Sequence, residues 1–396
     1  MGEQVVFTKI GNTRGFFAIQ DNMLRLADFS TESTMIPGKI YVGRVANTVQ
    51  NLDASFVEYE KGKQGFLPNP KKHRAEGIEI KNGMVLPVQL KTAPLKTKEA
   101  MLAAQLSLPG IYCVVTNTPG GIHFSKKIKD TQKKVIKQAL TDVGDEAFSY
   151  IIRSNAAALS EVELDLLKDE LCSLSEEMHQ IVLKAKSRTC FSCIYDKSDF
   201  VIRSLSKIDF LKTDRIVTDS AEEYDYLKSI LPSCVSDFLA FHDEKQKLPL
   251  SLLYELKSRL HGMISKKVWL KSGGYLVVEP TEALTVIDVN SGKNIQKMSK
   301  SELVRKTNLE AAEIIPFLLS VNNISGIVVV DFINVASKKD EEEFMVLLKK
   351  RLSLDCNKAD VVDVTKLGLV EITRQKKDVL LLSKIKEAEL YEIIEN

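Results

Sequence analysis

Two apolar runs that each stop at an aspartate constrain this chain most: Leu284-Thr285-Val286-Ile287-Asp288, continued by Val289-Asn290, and Ile327-Val328-Val329-Val330-Asp331. Both read as buried β-strands. A carboxylate in mid-core would have to give up its charge or destabilise the fold, so the aspartates belong at the strand ends. In α/β folds those ends open onto the crevice where ligands bind. Two carboxylates arriving there on neighbouring strands make an oxygen-rich site suited to Mg²⁺. Taken singly, each aspartate has a plainer reading as the cap of the helix or turn that follows. The pairing weighs against that reading, and so does Asn290. It stands two residues beyond Asp288, on the same side of an extended chain, where its amide can hydrogen-bond the carboxylate and hold one rotamer.

The segments around the runs support the pairing. Val268 to Val278 reads as a hairpin turning through Ser272-Gly273-Gly274. A helix predicted over 301–319 opens with the capping box Ser299-Lys300-Ser301-Glu302 and buries Leu303, Ala311, Ile315 and Leu318. Strand, helix and strand in succession predict a parallel, right-handed crossover that brings both aspartates to one sheet edge.

The 396 residues suit two to four domains. The 44% hydrophobic content is ordinary, and no apolar stretch reaches the length of a transmembrane helix. Met1-Gly2-Glu3-Gln4 has neither the basic start nor the apolar centre of a signal peptide, which places the chain in the cytoplasm as an expectation. The six cysteines show no repeating spacing, so a disulfide framework is not expected. Cys190 and Cys193 form a lone CxxC, and Thr189 to Tyr195 reads better as a strand with small buried residues than as a zinc site. A net charge of +2 argues against a uniformly basic nucleic-acid coat, but Lys71, Lys72, His73 and Arg74, and Lys126, Lys127, Lys129, Lys133, Lys134 and Lys137, are local basic clusters. Such runs are commonly solvated faces.

The neighbouring segments favour a nucleic-acid reading. Residues 4–28 look like short strands. From Gly38, the strands Lys39-Ile40-Tyr41-Val42-Gly43-Arg44-Val45, Ala54 to Tyr59, Gly65 to Pro68 and Met84 to Leu90 are closely spaced with glycine turns. A small closed barrel of the OB type fits them. On such a barrel Phe56 and Phe66 would be base-stacking platforms, although a barrel aromatic is more commonly core, and Lys98 would add a phosphate contact. Next come the strand Gly110 to Val115 and two helices. The first carries Val135, Ile136, Ala139, Leu140 and Val143 on one face, and the second opens with the capping box Ser160-Glu161-Val162-Glu163 before the stripe Leu164, Leu167, Leu171, Leu174 and Met178. Arg153 and Ser154, side by side after a strand, can fork onto a phosphate, although a plain surface arginine is the commoner case.

At these residues the chain closely resembles the catalytic half of the ribonuclease E/G family. The resemblance runs through Thr281 to Ser291, Thr307 to Ala312, Val330 to Ile333 and Gly368 to Gln375, together with the barrel motifs Tyr41 to Val45, Ala54 to Val57 and Gly65 to Pro68, and covers nearly the whole chain. It implies an α/β (α+β) multidomain fold. An RNase H-like subdomain (1–37 and 189–266) would be interrupted by an OB-fold, S1-like RNA-binding domain (38–105) and a 5′-sensor region (106–188), and followed by a DNase I-like catalytic subdomain (267–396). By that likeness Asp288 and Asp331 bind one catalytic Mg²⁺, Asn290 steadies Asp288, and Phe56, Phe66 and Lys98 grip RNA. A 5′-monophosphate pocket falls on Gly110, Val114, Arg153, Ser154 and Arg374, with Ser154 replacing the family's usual threonine. The family usually carries a Cys-Pro-x-Cys supplying a shared zinc, which this sequence lacks. Zinc is therefore not expected, and a homodimer, if formed, would lack that link. Asn334 stands where many members have a second acid.

The expected activity is Mg²⁺-dependent endonucleolytic cleavage of single-stranded RNA in the processing of rRNA and decay of mRNA. It would leave 5′-phosphate and 3′-hydroxyl ends and prefer 5′-monophosphorylated RNA. The five histidines are scattered without acid-base spacing. A rival of another class is a catalytically silent RNA-binding or scaffolding protein. A nucleotide-using enzyme is disfavoured, because neither a GxxxxGK[ST] loop nor a strand-linked GxGxxG is present.

Overall fold

The computed structural model describes residues 2–30, 37–68, 80–92, 99–196, 199–245, 247–281, 283–292, 299–335, 337–376 and 378–395. The chain is mixed α/β and divides into two compact units. One comprises Met1–Thr31, Asp214–Tyr224 and Leu239–Asn396, and the other Glu32–Thr213 and Asp225–Phe238.

The first unit holds two sheets. Its five-stranded sheet runs in the order Leu239–Phe241, Thr213–Thr218, Glu3–Ile10, Thr13–Gln20 and Met23–Phe29. The last three strands form a meander whose tight turns use Gly11 and the pair Asp21-Asn22 at positive φ, which suits the twist of adjacent strands. Val6, Phe17, Phe29, Leu256 and Leu260 pack beneath it.

The six-stranded sheet has the order Lys267–Trp269, Tyr275–Pro280, Leu284–Asn290, Gly326–Asp331, Val370–Arg374 and Ala359–Val364. Leu284–Asn290 and Gly326–Asp331 are parallel, and every other pairing in the sheet is antiparallel. Between the parallel pair runs helix Lys300–Val321, closed at its start by the predicted capping box of Ser299 and Glu302. Its residues Ala311 and Ile315 pack with Ile287 and Val330 of the sheet and with Phe344 and Leu348 of helix Lys338–Leu352.

One expectation changes here. The two apolar runs are not buried on both faces: along Leu284–Asn290 the side chains of Thr285, Ile287 and Val289 are buried, whereas Asp288 is exposed and Val286 only half-buried. In Gly326–Asp331, Val328 and Val330 are buried while Ile327 is 54% exposed. The helices cover one face of the sheet, and the apolar residues of the other face concealed the alternation.

In the second unit Ile40–Val49, Ala54–Glu60, Lys63–Pro68, Ala100–Ala103 and Val85–Thr92 close into a five-stranded barrel, the last strand pairing back onto the first. Tyr41, Val57, Tyr59, Leu67, Val88 and Leu102 fill it. Gly43 is needed for that filling: a Cβ there would stand 2.6 Å from Val57 Cγ1 and 3.0 Å from Val88 Cγ2. The same unit carries a four-stranded sheet, in the order Gly121–Phe124, Ser149–Ile152, Cys113–Thr116 and Ser107–Pro109.

Helix Leu164–Ser187 buries Leu164, Leu167, Leu171 and Met178 of the predicted stripe. In helix Asp130–Ala139 the buried residue is Ile136, and Val135, expected beside it, is exposed. The CxxC also differs from expectation: only Cys193–Tyr195 is strand, Cys193 is exposed, and Cys190 lies in a turn with Phe191, which takes φ +73°. Among the described residues no helix is long and apolar enough to cross a membrane.

Candidate active site

The register of the parallel pair sets Asp288 directly beside Asp331. Facing residues on adjacent strands project to the same side, so the two carboxylates leave the sheet together, about 5 Å apart at their Cα atoms. They stand on the face that the helices do not cover, and both are exposed. The amide expected to hold Asp288 does so: Asn290 Nδ2 donates to Asp288 Oδ2 at 2.8 Å.

The scaffold behind them is braced by residues to which the sequence reading gave no bracing role. Asn308, fully buried in helix Lys300–Val321, donates from Nδ2 to Ile333 O at 2.7 Å and accepts from Ile333 N–H at 3.1 Å, clamping the chain just beyond Asp331. On the other side Glu310 accepts from Ser272 N–H at 2.7 Å, tying the hairpin turn to the helix. Gly274 lets that turn approach, since a Cβ there would lie 2.6 Å from Asn290 O and 2.8 Å from Thr307 Cγ2. The clue was present in Thr307-Asn308-Leu309-Glu310, where amide and carboxylate fall on a helix that must otherwise be apolar to pack. Asn334 is exposed.

Among the described residues no three His, Cys, Asp or Glu side chains gather to hold an ion. Nor does a cation stand against Asp288 or Asp331 among them. Two neighbouring carboxylates with no cation against them suit a hard divalent cation, which takes oxygen ligands and can keep its other positions for water and phosphate oxygen.

In the barrel Phe56 and Phe66 face each other in register, both half-exposed, with ring centroids 5.9 Å apart and planes at 73°. Their neighbours Val57 and Leu67 point inward, so the pair stands on the outer surface rather than in the core. Lys98 and the cluster Lys71 to Arg74 lie outside the described residues.

Gly110, Val114, Arg153 and Ser154 come together at one end of the four-stranded sheet, where Arg153 N–H donates to Tyr112 O and Gly110 N–H to Cys113 O, both at 2.8 Å. That end is organised by Glu170, whose carboxylate accepts from the backbone N–H groups of Ile111, Tyr112 and Cys113 at 2.6, 2.8 and 2.9 Å. A Cβ on Gly110 would stand 2.4 Å from that carboxylate. Burial pushes the Glu170 carboxyl up, against the pull of these three donors. Arg153, half-buried, donates from Nη2 to Ser206 O at 2.6 Å.

Arg374 lies on the covered face of its own sheet and is 2% exposed. Its Nε and Nη2 grip Asp355 at 2.8 and 3.1 Å while Nη1 donates to Ile324 O at 2.9 Å. So enclosed, the guanidinium is held in an internal ion pair rather than open to a phosphate.

The model of the Ribonuclease E/G family matches residues 107–377. Ribonuclease E of Nostoc sp. is 30% identical over 86% of this chain and 51% of its own length. Ribonuclease G of Escherichia coli is 27% identical over 86% of this chain and 73% of its own, and ribonuclease G of Haemophilus influenzae 29% identical over 90% and 76%. The chain thus spans about half the length of the Nostoc protein.

Proposed function

The chain belongs to the ribonuclease E/G family, and from that premise we propose that it is a Mg²⁺-dependent endoribonuclease of the cytoplasm that cuts single-stranded RNA in rRNA processing and mRNA decay. The observation that carries the reading is the Asp288–Asp331 register, with Asn290 bonded to Asp288. Asp288 and Asp331 would hold the ion, and Mg²⁺ bound there supplies polarisation of the scissile phosphate and an acidified attacking water. Asn290 occupies one oxygen of Asp288 and fixes its rotamer, so the remaining lone pairs face a constant direction. Attack on phosphorus with departure of the 3′-oxygen leaves 5′-phosphate and 3′-hydroxyl ends.

The barrel is read as OB-like, its Phe56 and Phe66 rings as platforms for unpaired bases. Phe56→Ala and Phe66→Ala are each expected to weaken binding of a labelled single-stranded RNA about tenfold. Fluorescence anisotropy measures this, and affinities within twofold of wild type would remove the platform role. The pocket of Gly110, Val114, Arg153 and Ser154 is read as the reader of a 5′-monophosphate. Arg153→Ala should bring the cleavage rates of 5′-monophosphorylated and 5′-triphosphorylated forms of one RNA together. A ratio equal to that of wild type would end the sensor reading.

The activity itself is tested by incubating an unstructured 5′-monophosphorylated oligoribonucleotide with the chain in Mg²⁺ or in EDTA and mapping the ends. Internal cuts that need Mg²⁺ and leave 3′-hydroxyls are expected. Tight binding with no cleavage would instead support the scaffolding alternative.

A further inference from the structure

Resting on the nuclease reading above, we propose that Trp269, Tyr275 and Lys267 form a nucleotide subsite beside the carboxylate pair, taking an unpaired base of single-stranded RNA on the Trp269 ring and the adjoining phosphate at the Lys267 ammonium. The register places them. Lys267 faces Val277, which faces Asp288, which faces Asp331, so one row across the sheet runs from an ammonium to the two carboxylates. Trp269 faces Tyr275, which faces Asn290, in the next row. Buried Val268 and Leu276 alternate with these residues, so Lys267, Trp269 and Tyr275 project from the same open face as Asp288 and Asp331. Lys267 and Asp288 are two strand spacings apart, about 10 Å, which is the neighbourhood of the nucleotides next to the cut.

The chemistry of the cluster fits a nucleotide. Trp269 is 63% exposed on an edge strand, where a charged residue would guard against aggregation and an indole does not. The indole and phenol rings meet edge-on with centroids 5.4 Å apart, and Lys267 Nζ sits 4.0 Å from the first centroid and 3.8 Å from the second. The rings hold the ammonium without neutralising it, and among the described residues no carboxylate pairs with it. An aromatic face and an uncompensated cation side by side match the base and phosphate of one nucleotide. Every base offers a π-face, so the subsite selects for unpaired bases rather than for sequence.

Trp269 is the chain's single tryptophan, so tryptophan emission reports this place alone. The full chain is titrated in EDTA with an unlabelled single-stranded oligoribonucleotide, and binding is followed in parallel by anisotropy of a labelled one. Emission is expected to change saturably with the anisotropy midpoint, and not with a duplex of the same sequence. Trp269→Ala should raise Kd, and KM for cleavage in Mg²⁺, about tenfold while Trp269→Phe stays within about twofold of wild type. Lys267→Met should flatten the dependence of log Kd on log salt by about 0.7, the loss of one phosphate contact to a single strand. Normal RNA binding and cleavage with silent emission would overturn the subsite and leave the nuclease standing. Emission that follows protein concentration instead of RNA would make this edge a contact between copies of the chain and overturn it too. Failure of wild type both to bind and to cut RNA would take down the subsite together with the nuclease reading.

Discussion

Asp288→Asn and Asp331→Asn are each expected to slow RNA cleavage about a thousandfold or more, equivalent to about 4 kcal/mol of lost transition-state stabilisation, with no loss of folding stability. The two halves of this prediction come from one geometry. The carboxylates stand side by side on an open face, and among the described residues only the Asn290 amide offsets their charge. Like charges directly opposed on neighbouring strands repel, so neutralising one should leave the unfolding free energy within about 0.5 kcal/mol of wild type or raise it. Residues kept at a cost to the fold are kept for what they bind. Single-turnover cleavage and urea denaturation of the same preparations measure both quantities. If either variant cuts as fast as wild type, Asp288 and Asp331 do not hold the ion; if it melts far below wild type, the aspartates are structural.

The site was legible in the sequence because its chemistry contradicts its surroundings. A carboxylate closing an apolar run must leave the core, a second one a helix later must leave beside it if the crossover is parallel, and Asn290 follows at the spacing of one strand face. What could not be read was which face each residue takes. Val286, Val329 and Ile327 are apolar yet lie on the uncovered face, so the strands looked buried throughout. The same blindness hid the row from Lys267 to Asp331, which exists only through the pairings of four strands. The barrel was legible from short strands and glycine turns, whereas the outward placement of Phe56 and Phe66 was not, because their neighbours Val57 and Leu67 are apolar too and only the fold shows which of them point inward. The cysteines misled because Phe191 at positive φ interrupts what composition reads as a strand.

Arg374 shows the cost of a single step in register, and its replacement should be the most damaging to the fold. Strand Val370–Arg374 alternates buried Val370, Ile372 and Arg374 with half-buried Glu371 and exposed Thr373, so the arginine enters the covered layer. There its side chain is 1% exposed, against 2% for Asp355, and the two meet as a fork on a carboxylate. Removing either partner strands the other's charge in the core. Arg374→Ala and Asp355→Ala are therefore each expected to cost about 3–5 kcal/mol of stability, seen as a fall in the urea midpoint. Replacing both at once by apolar residues of similar volume, Arg374→Met with Asp355→Leu, should recover most of that loss, because no charge is then left unpaired. The double variant also separates a structural role from a sensing one: its ratio of cleavage on 5′-monophosphorylated over 5′-triphosphorylated RNA should equal that of wild type, whereas Arg153→Ala collapses it. Were Arg374→Ala to melt like wild type and lose the 5′-end preference, the guanidinium would be reading phosphate after all, and its bond to Asp355 would not be the one that persists in solution.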